Sequence, residues 1–333
     1  MRNICLIIAV LLTAVSCKKP EPKYIFNQGF IHGTIYHITY ESPEGKDYQK
    51  EIEQEMHAFD QSLSTFQPES VISRINQNDP NVVTDHFFET CFKRAQKISK
   101  ATDGAFDITV APLVNAWGFG FKNKEQISQE LIDSLLQTVG YNKVKLKGEK
   151  IIKENPNTML DASAIAKGYS VDVIAQFLQK KGCKNLMVEI GGEVVARGKN
   201  NKGRWWRIGI NKPQEDALFN SQDLHTIVSL KNKGLATSGN YRNFYVEGGK
   251  KYAHTIDPES GYPIQHRVLS STVVAKDCMT ADAYATSFMV MGLDKAKHVL
   301  AEHPELEAFF ILSSEGENYE VYYTQGFKKF IVD

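Results

Sequence analysis

The chain has 333 residues, 42% of them hydrophobic and 23% charged, so it can bury a sizeable core and is no disordered polymer. Its 39 basic and 39 acidic residues cancel, which argues against a general nucleic-acid binder, because such a protein needs a basic footprint for the phosphates. A local charged pocket is compatible with zero net charge.

The N-terminus carries the first specific signal. Arg2 precedes an apolar run from Ile4 to Leu12, and the small residues Thr13, Ala14, Val15 and Ser16 close on Cys17. This pattern reads as a secretory signal, too short for an ordinary membrane span. Small residues ahead of a cysteine resemble the lipobox of bacterial lipoproteins, which implies a lipidated Cys17 as the first mature residue. The other reading is a plain signal peptide cleaved near Ser16. Lys18-Lys19-Pro20-Glu21-Pro22-Lys23 is polar and proline-rich, as a tether should be. The organisation expected is a signal over 1–17, a tether over 18–28 and one domain over 29–333.

Hydrophobic spacing then gives the elements. Ile52, Met56, Phe59 and Leu63 predict a helix over about 48–64. Phe87, Phe88, Cys91, Phe92, Ala95 and Ile98 predict a second, with Thr84 or Asp85 as N-cap and Gly104 past its end. Ile165, Ala166, Tyr169, Val173, Ile174 and Phe177 predict a third, stopped at Gly182. Short strands follow at 186–190, 205–210, 226–230, 243–247, 271–275, 308–312 and 320–323, with a late helix over Met279–Met291. Helices first and strands later, without strict alternation, predict an α+β domain on a largely antiparallel sheet.

Five cysteines are present. Cys5 leaves with the signal and Cys17 would carry lipid, leaving Cys91, Cys183 and Cys278. They are odd in number, far apart and without a CxxC pair, so they read as buried thiols rather than zinc ligands or a redox site.

Four clusters of small residues could carry chemistry. Asp103 to Thr109 follows a helix end, where Gly104 serves as a left-handed cap; the cap explains Gly104 but not Asp107. Asp161-Ala162-Ser163-Ala164-Ile165-Ala166-Lys167-Gly168-Tyr169 opens a helix whose free N–H groups form an anion site, with Lys167 one turn in; from this segment alone, a capped surface helix with a solvated lysine is the better reading. Thr237 to Tyr241 and His254 to Pro258 read as turns between strands, and only His254 lacks a turn explanation. Asp282 and Thr286 are four apart and share one helix face, offering hard oxygens suited to Mg²⁺. The same stretch also reads as a small-residue helix packed in the core.

In this order the clusters resemble the ApbE family of FAD:protein FMN transferases, from about Gly33 to the C-terminus. The most specific pieces are Gly104-Ala105-Phe106-Asp107-Ile108-Thr109, Asp161 through Tyr169, Gly191-Gly192-Glu193, His254 to Pro258 and Thr280-Ala281-Asp282-Ala283-Tyr284-Ala285-Thr286. The resemblance implies a T-fold-like domain that binds FAD as substrate and, with Mg²⁺, moves FMN onto a threonine or serine of a target flavoprotein, releasing AMP. It implies FAD contacts from Ala105, Phe106, Asp107, Asp161, Lys167 and Ile256, and metal ligation by the Ala164 carbonyl, Asp282 and Thr286. His254 is the candidate for acid/base assistance.

Three positions depart from the family pattern while keeping a place near the flavin. His32 stands for a methionine, Phe66 for a tyrosine or tryptophan, and Asn240 for an aspartate. Targets implied are subunits of the sodium-translocating NADH:quinone reductase and Rnf complexes. The lipobox places the protein on the periplasmic side of the inner membrane, or on the outer membrane. Alternatives are an FAD pyrophosphatase using the same site, and a non-catalytic periplasmic FAD-binding lipoprotein.

Overall fold

A computed structural model describes residues 21–121, 124–213, 224–240, 244–247, 250–314 and 319–332. Cys17, the signal segment and Tyr241 lie outside the described residues. The elements in chain order are β1 (Lys23–Ile31), β2 (Thr34–Ser42), α1 (Gln49–Leu63), α2 (Val71–Asn76), α3 (His86–Ala101), α4 (Ala111–Ala116) and α5 (Gln129–Leu136). Then follow β3 (Val144–Lys147), β4 (Lys150–Lys153), α6 (Ser163–Lys180), β5 (Leu186–Ile190), β6 (Glu193–Arg197), β7 (Trp206–Asn211) and β8 (Leu224–Leu230). The chain continues through β9 (Gly234–Gly239), β10 (Phe244–Glu247), β11 (Lys250–Ala253), β12 (Val268–Ala275), α7 (Cys278–Glu302), β13 (Glu307–Ser313), β14 (Tyr319–Tyr323) and β15 (Ile331–Val332). Among the described residues no helix is long and apolar enough to cross a membrane.

The centre is an eight-stranded sheet in the order β1-β2-β5-β6-β9-β12-β13-β14, antiparallel at every pairing. One face buries Tyr36, Ile38, Tyr40, Val188 and Phe310 against α1, α3, α6 and α7. The opposite face, from β6 to β13, buries Val194, Leu235, Val274, Phe309 and Ile311 under the small sheet β15-β8-β7. Strands β6, β12 and β13 are therefore buried on both sides. That removes the polar/apolar alternation that marks a one-sided strand. A third cluster joins α4 and α5 to Ile256 through Leu113, Trp117 and Ile132.

The α+β class and the antiparallel sheet agree with expectation, and the α1, α3 and α6 helices lie within two residues of their predicted bounds. Asp85 caps α3 by accepting from Phe88 N–H, and Gly182 (φ +86°) ends α6. The late helix runs past Met291 to Glu302, with a break at Gly292 (φ +73°). All three remaining cysteines are free and buried.

Two expectations change. Strand β1 starts at Lys23 and pairs with β2 along its whole length, so residues 23–28, expected in a tether, belong to the sheet. Thr237-Ser238-Gly239 is the end of strand β9, paired with Thr272, Ser271 and Ser270 of β12, and is not a turn.

Candidate active site

Helices α6 and α7 cross at Gly168. A Cβ there would lie 2.4 Å from the Cys278 carbonyl oxygen and 2.7 Å from Asp282 Cβ, so only glycine permits this approach. The contact brings Asp282 against the first turns of α6. Gly168 N–H donates to Asp282 Oδ2 at 2.9 Å. A regular helical turn would assign that donor to the Ala164 carbonyl, so Asp282 competes for it. Asp282 Oδ1 accepts no hydrogen bond among the described residues. One turn along α7, Thr286 Oγ1 shares a hydrogen bond with Ser238 Oγ of β9 at 3.0 Å.

The α7 start is fixed from α6. Buried Asp172 accepts from Cys278 N–H at 3.0 Å and Met279 N–H at 2.8 Å, adding to the Asp277 N-cap. Burial pushes the Asp172 carboxyl up to about 7, with the two N–H groups opposing the rise.

On the sheet side, β5 turns into β6 through Gly191 (φ +63°) and Gly192 (φ +103°), which delivers Glu193 into the site. Glu193 Oε1 accepts from Lys167 Nζ at 2.6 Å, while its buried Oε2 has no hydrogen-bond partner among the described residues. Burial raises both the Glu193 and Asp282 carboxyls, against the pull of Lys167. Burial works to lower Lys167, but these carboxylates outweigh it and hold the ammonium above its usual range.

These groups line one cavity of about 450 Å³. It contains every predicted site residue of the described chain except two. Ala105, Phe106, Asp107, Asp161, Ala164, Lys167, His254, Ile256, Asp282 and Thr286 all lie on its wall, together with Glu193 and Ser238. Phe119 meets the His254 ring edge-on, with centroids 6.4 Å apart.

His32 and Phe66 do not line the cavity. His32 turns β1 into β2 with a left-handed backbone, and its ring is held by Asp60 Oδ1 (2.7 Å) and Ser170 Oγ (2.8 Å) between α1 and α6. Phe66 lies after α1 with 77% of its surface exposed. Sequence reasoning gave Glu193 and Ser238 no role of their own. Glu193 follows two glycines, a signal for a sharp turn that aims the next side chain; Ser238 is masked by turn-like composition.

Asp107 lines the cavity yet spends its carboxylate on the fold. Oδ1 accepts from Thr109 N–H and Oγ1 at 2.7 Å each, and Oδ2 accepts from Tyr141 N–H at 2.7 Å. Asp161 Oδ1 likewise accepts from Ser163 N–H at 2.8 Å, at the start of α6.

The wall thus holds four carboxyl side chains, Asp107, Asp161, Glu193 and Asp282, against one ammonium, Lys167. An anionic ligand would need added positive charge there. Asp282, Thr286 and Ala164 all lie on the wall, and a carboxylate, a hydroxyl and a backbone carbonyl are the hard oxygens that suit Mg²⁺. Among the described residues no group of three or more His, Cys, Asp or Glu side chains converges as a metal site, so a cation here would rely on one carboxylate and neutral oxygens.

Comparison with known proteins shows the family. The model of the ApbE family matches residues 32–310. The chain is 36% identical to a Vibrio cholerae protein named FAD:protein FMN transferase, covering 99% of both, and 32% identical to one so named from Escherichia coli K12, covering 98% and 96%. Its structure resembles the flavin transferase ApbE of Vibrio cholerae at a TM-score of 0.82 and 35% identity, covering 93% of this chain and 100% of that one. The apo flavinyl transferase ApbE of Pseudomonas stutzeri gives the same TM-score at 30% identity, covering 93% and 97%. The chain belongs to the ApbE family.

Proposed function

We propose that this protein is an FAD:protein FMN transferase working in the α6–α7 cavity. The observation that carries the reading is that Ala164, Lys167, Glu193, Asp282 and Thr286 line one cavity in a chain that the ApbE family model matches over residues 32–310. The excess of carboxyls over ammonium on the wall supports a divalent cation at the FAD diphosphate, held by Asp282, Thr286 and the Ala164 carbonyl. When bound, Mg²⁺ would offset phosphate charge and polarise a phosphoryl oxygen.

The chain's own residues do the rest. Lys167, fixed by Glu193, presents a cation to the diphosphate. Phe106, Val114, Phe119 and Ile256 give the cavity an apolar side that excludes water from the nucleotide. The threonine or serine hydroxyl of the acceptor attacks the FMN-side phosphorus. The bond from that phosphorus to the bridging oxygen breaks, and AMP leaves with that oxygen. The hydroxyl proton passes to an imidazole nitrogen of His254, the one histidine on the wall.

The small residues before Cys17 support lipid anchoring there, on the periplasmic face of the membrane. Acceptors are flavoprotein subunits reachable from that face, of the kind found in the sodium-translocating NADH:quinone reductase and Rnf complexes. Incubation with FAD, Mg²⁺ and such an acceptor domain, followed by intact-mass measurement, tests the reading. The acceptor gains one FMN and AMP accumulates in equal amount; free FMN beside an unmodified acceptor would identify a hydrolase instead.

A further inference from the structure

Strands β1 and β2 form an edge of the central sheet whose outer face the second layer leaves uncovered. In the antiparallel register Phe30 stands opposite Ile35 and Phe26 opposite Thr39. The odd-numbered positions of β1 and the even-numbered positions of β2 face the helices, so these four side chains share the outer face. Phe26 is 57% exposed, Phe30 70% and Ile35 49%. Tyr24, on the same face, packs against the second-layer cluster and donates to the Lys199 carbonyl at 2.9 Å, so that layer stops there. Between them, His37 Nδ1 and Glu189 Oε2 are hydrogen-bonded to each other at 2.6 Å. The other exposed apolar edge is less open: Tyr319 donates to the Pro213 carbonyl and Tyr323 stacks on Phe309.

We infer that this face lies on the surface of the lipid bilayer, with Phe26, Phe30 and Ile35 in the headgroup region. The inference rests on the lipid-anchor reading of Cys17 and is independent of the transfer chemistry. Chain length carries it. Strand β1 begins at Lys23, six residues after Cys17, and six extended residues span at most about 20 Å. An anchor at Cys17 therefore keeps the Lys23 end of β1 within that distance of the membrane, with Phe26 about 10 Å and Phe30 about 23 Å further along the strand. Lys18, Lys19 and Lys23 on the intervening stretch favour an anionic surface. Aromatic and aliphatic side chains on one face beside basic residues suit the bilayer interface.

The arrangement also orients the cavity. Gly191 N–H donates to the Ile35 carbonyl at 3.0 Å, so the β1–β2 turn and the β5–β6 turn that carries Glu193 lie at one end of the sheet. Seating Phe30 and Ile35 on the membrane brings that end, and the Glu193 wall of the cavity, toward the bilayer.

The test uses the full chain, produced with its own signal in a lipoprotein-processing bacterial host and reconstituted into phosphatidylethanolamine/phosphatidylglycerol vesicles. Single cysteines are introduced by Phe30→Cys and, as a reference on exposed α7, by Lys295→Cys, and labelled with an environment-sensitive dye. Cys91, Cys183 and Cys278 are buried and stay unlabelled in the folded protein. With lipids brominated near the headgroup, the label at 30 should blue-shift and lose most of its emission, while the label at 295 keeps its own. Vesicle-bound protein in which both labels remain unquenched overturns the proposal and leaves the anchor standing. Protein that does not float with vesicles overturns the anchor and this proposal together. FMN transfer, assayed separately in detergent, reports on the chemistry in either case.

Discussion

At the scale of the residue, a side chain's role follows from where its hydrogen bonds go. Asp107 matches a flavin-contact motif, and from sequence a loop carboxylate near a ligand can be removed at little cost. The structure reverses that expectation, because Asp107 satisfies the buried Thr109 N–H and hydroxyl and the partly buried Tyr141 N–H. At roughly 1–3 kcal/mol for each buried donor left unsatisfied, Asp107→Ala should cost about 2–4 kcal/mol in urea unfolding. A variant as stable as wild type but weak in FAD binding would return Asp107 to a purely ligand-facing role. Glu193 contrasts with it, since its carboxylate accepts from Lys167 on the cavity wall. Glu193→Gln keeps an acceptor but removes the charge that fixes the ammonium, so KM for FAD should rise about tenfold with kcat much less affected. An unchanged KM would show that Lys167 holds its place without Glu193.

Elements place these residues through one close crossing. Gly168→Ala puts a methyl group against the Cys278 carbonyl and Asp282 Cβ, so α6 and α7 must separate. Overpacking of this kind costs about 1–3 kcal/mol. Because Asp282 moves with α7, transfer should fall by more than the stability loss explains; assays well below the melting temperature separate the two. Asp172 ties the same helices. Its folded carboxyl titrates near 7, above the ordinary aspartate value of 3.8. The folded state therefore keeps a proton that the unfolded state has lost between about pH 4 and 7, and the contribution of Asp172 to stability falls as pH rises through that window. Denaturant midpoints of wild type should fall relative to Asp172→Asn across that range. Midpoints that rise in parallel would mean the carboxyl is ionised in the fold throughout.

What the sequence revealed of the elements divides along physical lines. Helices α1 and α3 bury one stripe against a sheet, so their 3.6-residue period is plain. Strand β9, Gly234-Leu-Ala-Thr-Ser-Gly, is built of small residues because Asp277 and Cys278 crowd Gly234, and composition alone makes its end look like a turn. Strand β6 is buried on both faces and follows two glycines, which hides its alternation. Motif and helix periodicity coincide at Asp282 and Thr286, and their four-residue spacing puts both on the cavity wall as expected. The site was not legible for His32, whose place beside a flavin motif hides a ring held between Asp60 and Ser170.

At the scale of the whole molecule, a sheet covered by helices on one face and by a second sheet over part of the other leaves open, among the described residues, two surfaces that bear on function. One is the cavity between α6, α7 and the β5–β6 turn; the other is the β1–β2 face near the N-terminal segment. The central claim is that the cavity supports cation-dependent FMN transfer through Asp282. Its most direct test is the yield of FMN-modified acceptor, by intact mass, for wild type and Asp282→Ala over a Mg²⁺ titration after chelation. Wild type should lose transfer on chelation and regain it as Mg²⁺ is restored. Asp282→Ala should bind FAD yet transfer little at any Mg²⁺ concentration. Transfer at a near wild-type rate by Asp282→Ala, or by the chelated wild type, would contradict the account.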